Sequence, residues 1–234
     1  MNNKSLIKKV KNLPVPILPT MVGAFTLSNV YSGMGYTWIR HITAWAAIAV
    51  ILSYILKICF HFDTVKKEYS NTVPASLYAG FTMLTMLLGS YFYNASPVFG
   101  KTLWFVGLIL HAIQILVFTY NNVIKNFNMQ TFLPSWFVTY NGIMVSTVVG
   151  GVMNEPLIGK IVVYYGIAVF TVIIPFMIYR LAKHEIKDPV YHTQAILLAP
   201  SSLCLVSYLN FISTPNKFII YYLYCAVICA LIFI

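Results

Sequence analysis

Residues 38–60 read WIRHITAWAAIAVILSYILKICF, and this stretch decides the fold. The residues between Arg40 and Lys57 carry no formal charge. The hydrocarbon core of a bilayer is about 30 Å thick, so about 20 helical residues are needed to cross it. The stretch therefore predicts a transmembrane helix.

Seven further apolar runs of comparable length predict the same structure on both sides of this one. Because lipid offers no hydrogen-bond partner to free backbone groups, each run is expected to be helical. The prediction is an all-α, polytopic transmembrane bundle, with a basic N-terminal segment (1–13) and a transmembrane domain (14–234). The predicted spans, numbered 1 to 8, are 14–34, 38–60, 73–93, 100–121, 132–152, 157–181, 190–212 and 217–234.

The overall composition excludes several classes of protein. Apolar residues make up 59% of the chain and charged residues 9%, which is typical of a membrane protein. The net charge of +10 lacks the basic stripe interleaved with aromatics that nucleic-acid binding requires. The four cysteines show no metal-ligand spacing, and the sequence contains no enzyme motif. We therefore predict no enzyme activity, no metal, no cofactor and no nucleic-acid partner.

Basic residues predict the orientation, because they concentrate in cytoplasmic loops. With eight alternating spans, eleven basic residues fall on the side of the N-terminus and four on the other. This distribution predicts a multi-pass protein of the cell membrane with a cytoplasmic N-terminus. The eleven are Lys4, Lys8, Lys9, Lys11, Lys57, Lys66, Lys67, Lys125, Arg180, Lys183 and Lys187, and the four are Arg40, Lys101, Lys160 and Lys217.

A repeat separates the spans into two kinds. Prolines recur near the start of the odd-numbered spans, at Pro19, Pro74, Pro134 and Pro189, which is one helical hairpin per repeat. The odd spans also carry hydroxyl and amide side chains, whereas the even spans are mostly aliphatic and aromatic. Polar groups in hydrocarbon are unfavourable unless they face protein or water, so the odd helices are expected inside, surrounded by the even ones.

The placement of the acidic residues indicates which ions such an interior accepts. All five, Asp63, Glu68, Glu155, Glu185 and Asp188, lie in predicted loops or at span ends. Proton-coupled pumps and cation sites generally place a carboxylate inside the membrane. An interior without one presents no fixed repulsion to an anion, and hydroxyl and backbone N–H groups form weak sites that let it leave. The sequence therefore favours transport of small anions.

Candidate site residues come from the odd spans. We predict as lining or bending positions Thr20, Gly23, Ser76, Gly80, Gly142, Pro200 and Ser201. Phe25 and Phe81 could occlude the path, with packing as the alternative. For any one small or hydroxyl residue, helix packing is the other open interpretation. His111, in span 4, is interpreted as a packed, hydrogen-bonded histidine and not as a proton relay.

Four stretches carry a resemblance to a known family. They are 14–17 with Gly23 and 27–29, then 85–91, 132–138 (FLPSWFV) and 198–205 (LAPSSLCL). On these stretches the chain resembles the tellurite-resistance/dicarboxylate-transporter family, which includes bacterial TehA-like channels and plant slow anion channels.

The resemblance implies ten helices, in five hairpins around a pseudo-five-fold axis, with odd helices lining one pore per subunit of a homotrimer. It also implies a plugging phenylalanine on the ninth helix. About eight of the ten helices are expected here, because the chain ends at Ile234 in span 8. Three functions stay open: a small-anion channel, an exporter of malate, sulfite or a tellurite-type oxyanion, and a truncated fragment without transport activity.

Overall fold

The computed structural model describes residues 8–185 and 188–233, apart from the side chains of 188–190 and 192. It is 85% helical, and the described residues contain no strand, which confirms the all-α prediction. Outside the described residues lie Lys4 and Lys187 of the basic residues counted above, the side chain of Pro189, and Ile234. The chain divides into two compact units, residues 1–110 (unit 1) and 111–234 (unit 2).

Unit 1 consists of helices that match the first three predicted spans and the start of the fourth. The helices are Ile17–Gly33 (α1), Thr37–Phe60 (α2), the short Phe62–Tyr69 (α3), Thr72–Leu77 (α4), Ala79–Tyr93 (α5) and the first part of Pro97–Thr119 (α6). The turn between α1 and α2 contains Gly35, whose φ of +96° lies in the left-handed region that only glycine adopts freely. Helices α1 and α2 therefore form a tight hairpin.

Unit 2 consists of the end of α6 and a series of shorter and longer helices. A π-helical turn at Tyr120–Lys125 continues α6. The helices that follow are Trp136–Tyr140 (α7), Val145–Val148 (α8), Pro156–Lys183 (α9), Leu198–Phe211 (α10) and Lys217–Phe233 (α11). A 3-10 helix, Asp188–Leu197, leads into α10.

The prediction of one continuous helix over 132–152 is wrong. In the structure, α7 and α8 alternate with two 3-10 turns, Gly142–Met144 and Gly150–Met153. Glycine is about 1 kcal/mol less favourable than alanine inside a helix, and three glycines occur between residues 142 and 151. We call residues 132–153 the broken segment.

Within the described ranges, five helices are long and apolar enough to cross a membrane. They are Thr37–Phe60, Thr72–Tyr93, Pro97–Lys125, Pro156–Lys183 and Thr193–Phe211, and Lys217–Phe233 is a shorter apolar helix. This confirms a polytopic helical membrane protein, while the number of eight spans stays a prediction.

Burial differs between the two kinds of span. Within an 18-residue apolar window, 78% of the residues of Thr72–Tyr93 are buried, against 22–28% for the three helices of the even spans 2, 4 and 6. The broken segment is buried from 132 to 147. Spans 1 and 7 are more exposed: α1 buries four residues, and the share for Thr193–Phe211 is 39%. Span 3 is therefore the buried polar span of unit 1, and the broken segment is that of unit 2.

Candidate functional site

The predicted lining residues of α1 lie on an exposed face. Thr20 and Gly23 are both exposed, and a Cβ added to Gly23 would meet no atom within 4 Å. The Thr20 hydroxyl donates a hydrogen bond of 2.9 Å to the carbonyl of Pro16, so its proton is already used within the helix. Thr20 also lines a surface pocket of about 270 Å³ together with Ala24. This face of α1 is therefore not covered by the described part of the chain.

Gly80 has a different role, because it lies where two helices of unit 1 meet. A Cβ at this position would lie 2.8 Å from the carbonyl carbon of Leu18 and 2.8 Å from the nitrogen of Pro19. Both are backbone atoms, which cannot move aside as a side chain would. Gly80 therefore permits the close approach of α1 to α5.

The other candidates of unit 1 are enclosed by protein to different degrees. Ser76 is fully buried, and its hydroxyl donates to the Val73 carbonyl at 2.7 Å. Phe25 is 1% exposed and packs edge-on against the Tyr91 ring at a centroid distance of 6.3 Å. Phe81 is half-buried. Of the two phenylalanines, Phe25 is thus the more closely packed.

In unit 2 the candidates lie in the broken segment and at the start of α10. Gly142 is buried and begins the first 3-10 turn. Pro200 and Ser201 are buried in the first turn of α10, and the Ser201 hydroxyl donates to the Leu198 carbonyl at 3.0 Å.

Polar side chains join the broken segment to the helices around it. The amide nitrogen of Asn141 donates to the Gly166 carbonyl of α9 at 3.0 Å and lies 3.7 Å from the Cys204 sulfur of α10. Its carbonyl oxygen is buried and has no hydrogen-bond partner in the described part of the chain. The hydroxyls of Thr147 and Ser207 share a hydrogen bond of 2.6 Å. The broken segment is therefore held in place by polar contacts.

One end of the broken segment opens onto a polar pocket of about 400 Å³. Its lining includes Thr147, Asn154, Glu155 and Asn210. Asn154 has a φ of +54°, in the left-handed region that asparagine tolerates. Thr147 belongs both to this pocket and to the buried polar contacts, so polar groups continue from the surface into the unit.

His111 is fully buried, and its Nε2 donates to the carbonyl of Thr139 at 2.8 Å. This confirms the interpretation of a packed, hydrogen-bonded histidine. Among the described residues, no group of three or more histidine, cysteine, aspartate or glutamate side chains could hold a metal ion.

Two charged clusters were missed by the sequence analysis. In the first, Lys57 is fully buried and its ammonium donates to both carboxylate oxygens of Glu68, at 2.8 and 2.9 Å, and to the Leu13 carbonyl at 2.7 Å. In the second, the Arg40 guanidinium lies over the ring of Tyr91. Both clusters depend on contacts between helices, and no local sequence pattern specifies such contacts.

Fold and site together define an all-α polytopic membrane protein whose buried spans carry hydroxyl and amide groups. Comparison with known proteins agrees, because the family model described as voltage-dependent anion channel matches residues 18–234. The chain belongs to this family.

A curated relative supports the membership. The tellurite resistance protein TehA homolog of Haemophilus influenzae is 24% identical over 169 residues, which cover 70% of this chain and 50% of the relative. The chain thus spans about half the length of the curated relative it matches.

Proposed function

We propose that this protein conducts small anions across the cell membrane, along a path lined by the odd-numbered spans. One observation carries the proposal: the buried spans 3 and 5 are polar but contain no carboxylate. Span 3 buries four serine and threonine residues and the broken segment buries five polar ones, namely Ser76, Thr82, Thr85 and Ser90, and Ser135, Thr139, Asn141, Ser146 and Thr147.

The charges of the described acidic residues support the same conclusion. Asp63 and Glu68 lie on α3, Glu155 immediately precedes α9, and Glu185 follows it. The Glu68 carboxylate is already paired with Lys57. An anion in the interior would therefore meet hydroxyl and amide groups, which are weak enough partners for an ion to leave.

A cytoplasmic N-terminus is part of the proposal. The bond from Lys57 to the Leu13 carbonyl, with the pair to Glu68, brings the N-terminal segment and α3 to one end of unit 1. Five exposed lysines lie in the described parts of these two segments: Lys8, Lys9, Lys11, Lys66 and Lys67. Such a concentration is typical of the cytoplasmic side. A homotrimer is proposed from the family resemblance, and native mass spectrometry in detergent measures it directly.

The test is chloride and nitrate flux into proteoliposomes containing the full chain. We expect currents whose reversal potential follows the anion gradient. Gly23→Phe, on the open face of α1, should lower the flux by about tenfold if that face lines the path. The matched control is Leu52→Phe, because Leu52 is 54% exposed on the even-span helix α2 and is expected to face lipid. A reversal potential that follows the cation gradient would exclude the proposal.

A second candidate substrate is an oxyanion or a C4-dicarboxylate such as malate, with sulfite and tellurite as further examples. The observation that favours it is the printed name of the relative, which refers to tellurite resistance. The test is uptake of labelled malate or tellurite into proteoliposomes. Inhibition of this uptake by unlabelled substrate but not by chloride would favour this candidate over a chloride path.

A further inference from the structure

Arg40 and Tyr91 form a cluster at the end of unit 1 that contains the α1–α2 turn. Arg40 is in the first turn of α2, and its guanidinium carbon lies 5.8 Å from the centre of the Tyr91 ring. Tyr91 is near the end of α5, which belongs to span 3. The Tyr91 hydroxyl lies 2.8 Å from Nδ1 of His41, and its ring packs against Phe25. The ring under Arg40 is therefore fixed from two sides.

The guanidinium has no acceptor in this cluster. Its Nε is buried and makes no hydrogen bond within the described residues, and the ring face beneath it is an attractive surface without a lone pair to accept an N–H. A buried donor without a partner is unfavourable, and an anion at the other N–H groups of the same guanidinium would offset part of that cost by attracting its positive charge.

The charge of Arg40 is also uncompensated in unit 1. The acidic residues of this unit, Asp63 and Glu68, lie on α3, beyond the far end of α2. Glu68 is paired with Lys57, and the 17 residues from Arg40 to Lys57 correspond to about 25 Å of helix. At that distance an exposed carboxylate is largely screened from Arg40.

An ordinary interfacial anchor is the simplest alternative, since arginine near a helix end commonly extends its head into water. The geometry differs from that case, because the enclosed Nε and the ring beneath the guanidinium hold the head against protein. A guanidinium held in this way keeps its remaining N–H groups in a fixed fork. Such a fork can bind either a halide ion or the oxygen atoms of an oxyanion.

We propose that Arg40 and Tyr91 form an anion-binding site at the turn end of unit 1, filled by a small soluble anion such as chloride or nitrate, or by the phosphate of a lipid headgroup. The site deepens the proposed function and rests on it, because Tyr91 belongs to a span that is proposed to line the path. An anion bound to Arg40 would lie beside the proposed path, at the point where it enters that path.

The test is chlorine NMR of chloride added to the purified full chain in phosphate-free detergent, where a bound anion broadens the resonance. Arg40→Gln should remove at least about half of the protein-dependent broadening, because the only fixed charge of the site is lost. Arg40→Lys should also reduce it, because an ammonium lacks the planar fork. The matched control is Lys160→Gln, an exposed basic residue in the first turns of α9. The control should change the broadening little.

Two further arms identify the occupant and separate this inference from the proposed function. Titration with short-chain phosphatidylcholine should remove the Arg40-dependent broadening if a lipid phosphate is the occupant, and leave it if a soluble anion is. Equal broadening in wild type and Arg40→Gln, or equal losses in Arg40→Gln and Lys160→Gln, would overturn the site. Flux of the wild-type protein is measured separately. If the protein conducts anions but shows no such difference in broadening, the proposed binding site is excluded and the proposed function stands.

Discussion

The hydroxyl of Tyr78 donates a hydrogen bond of 2.5 Å to Oε2 of Glu68. Tyr78 is the residue that separates α4 from α5, so the bond reaches the interruption in span 3. The same carboxylate accepts two hydrogen bonds from Lys57 at the end of α2, and Lys57 also holds the Leu13 carbonyl. One carboxylate thus connects the N-terminal segment, the helices α2 and α3, and the interruption in span 3. Span 3 is one of the spans that are proposed to line the path.

Removing this carboxylate should destabilise the protein strongly. Glu68→Gln leaves the fully buried Lys57 without its counter-charge, and breaking a buried pair in this way costs about 3–5 kcal/mol. The measurement is the thermal midpoint of unfolding in detergent.

The matched control is Asp63→Asn, an exposed acid on the same helix α3. It removes the same charge from a solvated position, where the expected effect is within about 0.5 kcal/mol. Equal midpoints for the two variants would show that the Glu68 contacts do not stabilise unit 1.

Gly80→Ala should destabilise the contact between α1 and α5. The added methyl would lie within 2.8 Å of backbone atoms of Leu18 and Pro19, so the helices must separate. We expect a loss of about 1–3 kcal/mol, as for overpacking of a core. Gly23→Ala is the control, because its methyl meets nothing within 4 Å and alanine favours a helix. A thermal midpoint lowered more by Gly23→Ala than by Gly80→Ala would contradict this account of α1.

The fold class was predictable because it depends on composition and run length alone. The apolar run of 38–60 predicted a helix and the structure has Thr37–Phe60, since a buried or lipid-facing helix needs only a long apolar sequence. The broken segment was not predictable in the same way. Its glycines and Asn141 lie inside a mostly apolar run, and whether such residues break a helix depends on partners such as Gly166, which tertiary packing supplies.

Thr147 and Ser207 should show a favourable coupling between the broken segment and α10. Their hydroxyls are buried and 2.6 Å apart. A double-mutant cycle of Thr147→Val and Ser207→Ala should give a coupling of about 0.5–1.5 kcal/mol. The control cycle pairs Ser207→Ala with Thr102→Val, because the Thr102 hydroxyl is exposed and donates to the Val98 carbonyl of its own helix. A coupling no larger than the control value would mean that this contact does not hold the segment.

Anion flux should not be driven by a proton gradient. The described acidic residues lie outside the apolar cores of the spans, and the buried His111 is hydrogen-bonded to Thr139. A relay needs several titratable groups in sequence, which this interior lacks in its described part. Flux is measured in proteoliposomes with and without an imposed pH difference, at constant voltage and chloride gradient. Accumulation of anion against its gradient when protons are supplied would contradict a passive path.

The polar, proline-bearing spans could be identified from the sequence, whereas the packing of each residue in them could not. Proline and hydroxyl patterns selected spans 1, 3, 5 and 7, because polar groups require protein or water around them. The structure buries span 3 and most of the broken segment and leaves spans 1 and 7 more exposed. The same pattern could not separate Gly80, which meets a helix backbone, from Gly23, which meets nothing. Both are glycines in proline-led spans, and only the packing partner distinguishes them.

Reaction of introduced cysteines with a charged aqueous thiol reagent tests most directly whether odd spans face water. Ala24 on α1 and Ala46 on α2 are both exposed, and each is eleven residues from Gly35, so they lie at the same depth in one hairpin. The background carries alanine in place of the four native cysteines. We predict that Ala24→Cys reacts at least about tenfold faster than Ala46→Cys, because lipid excludes a charged reagent. Equal rates at the two positions would contradict the account.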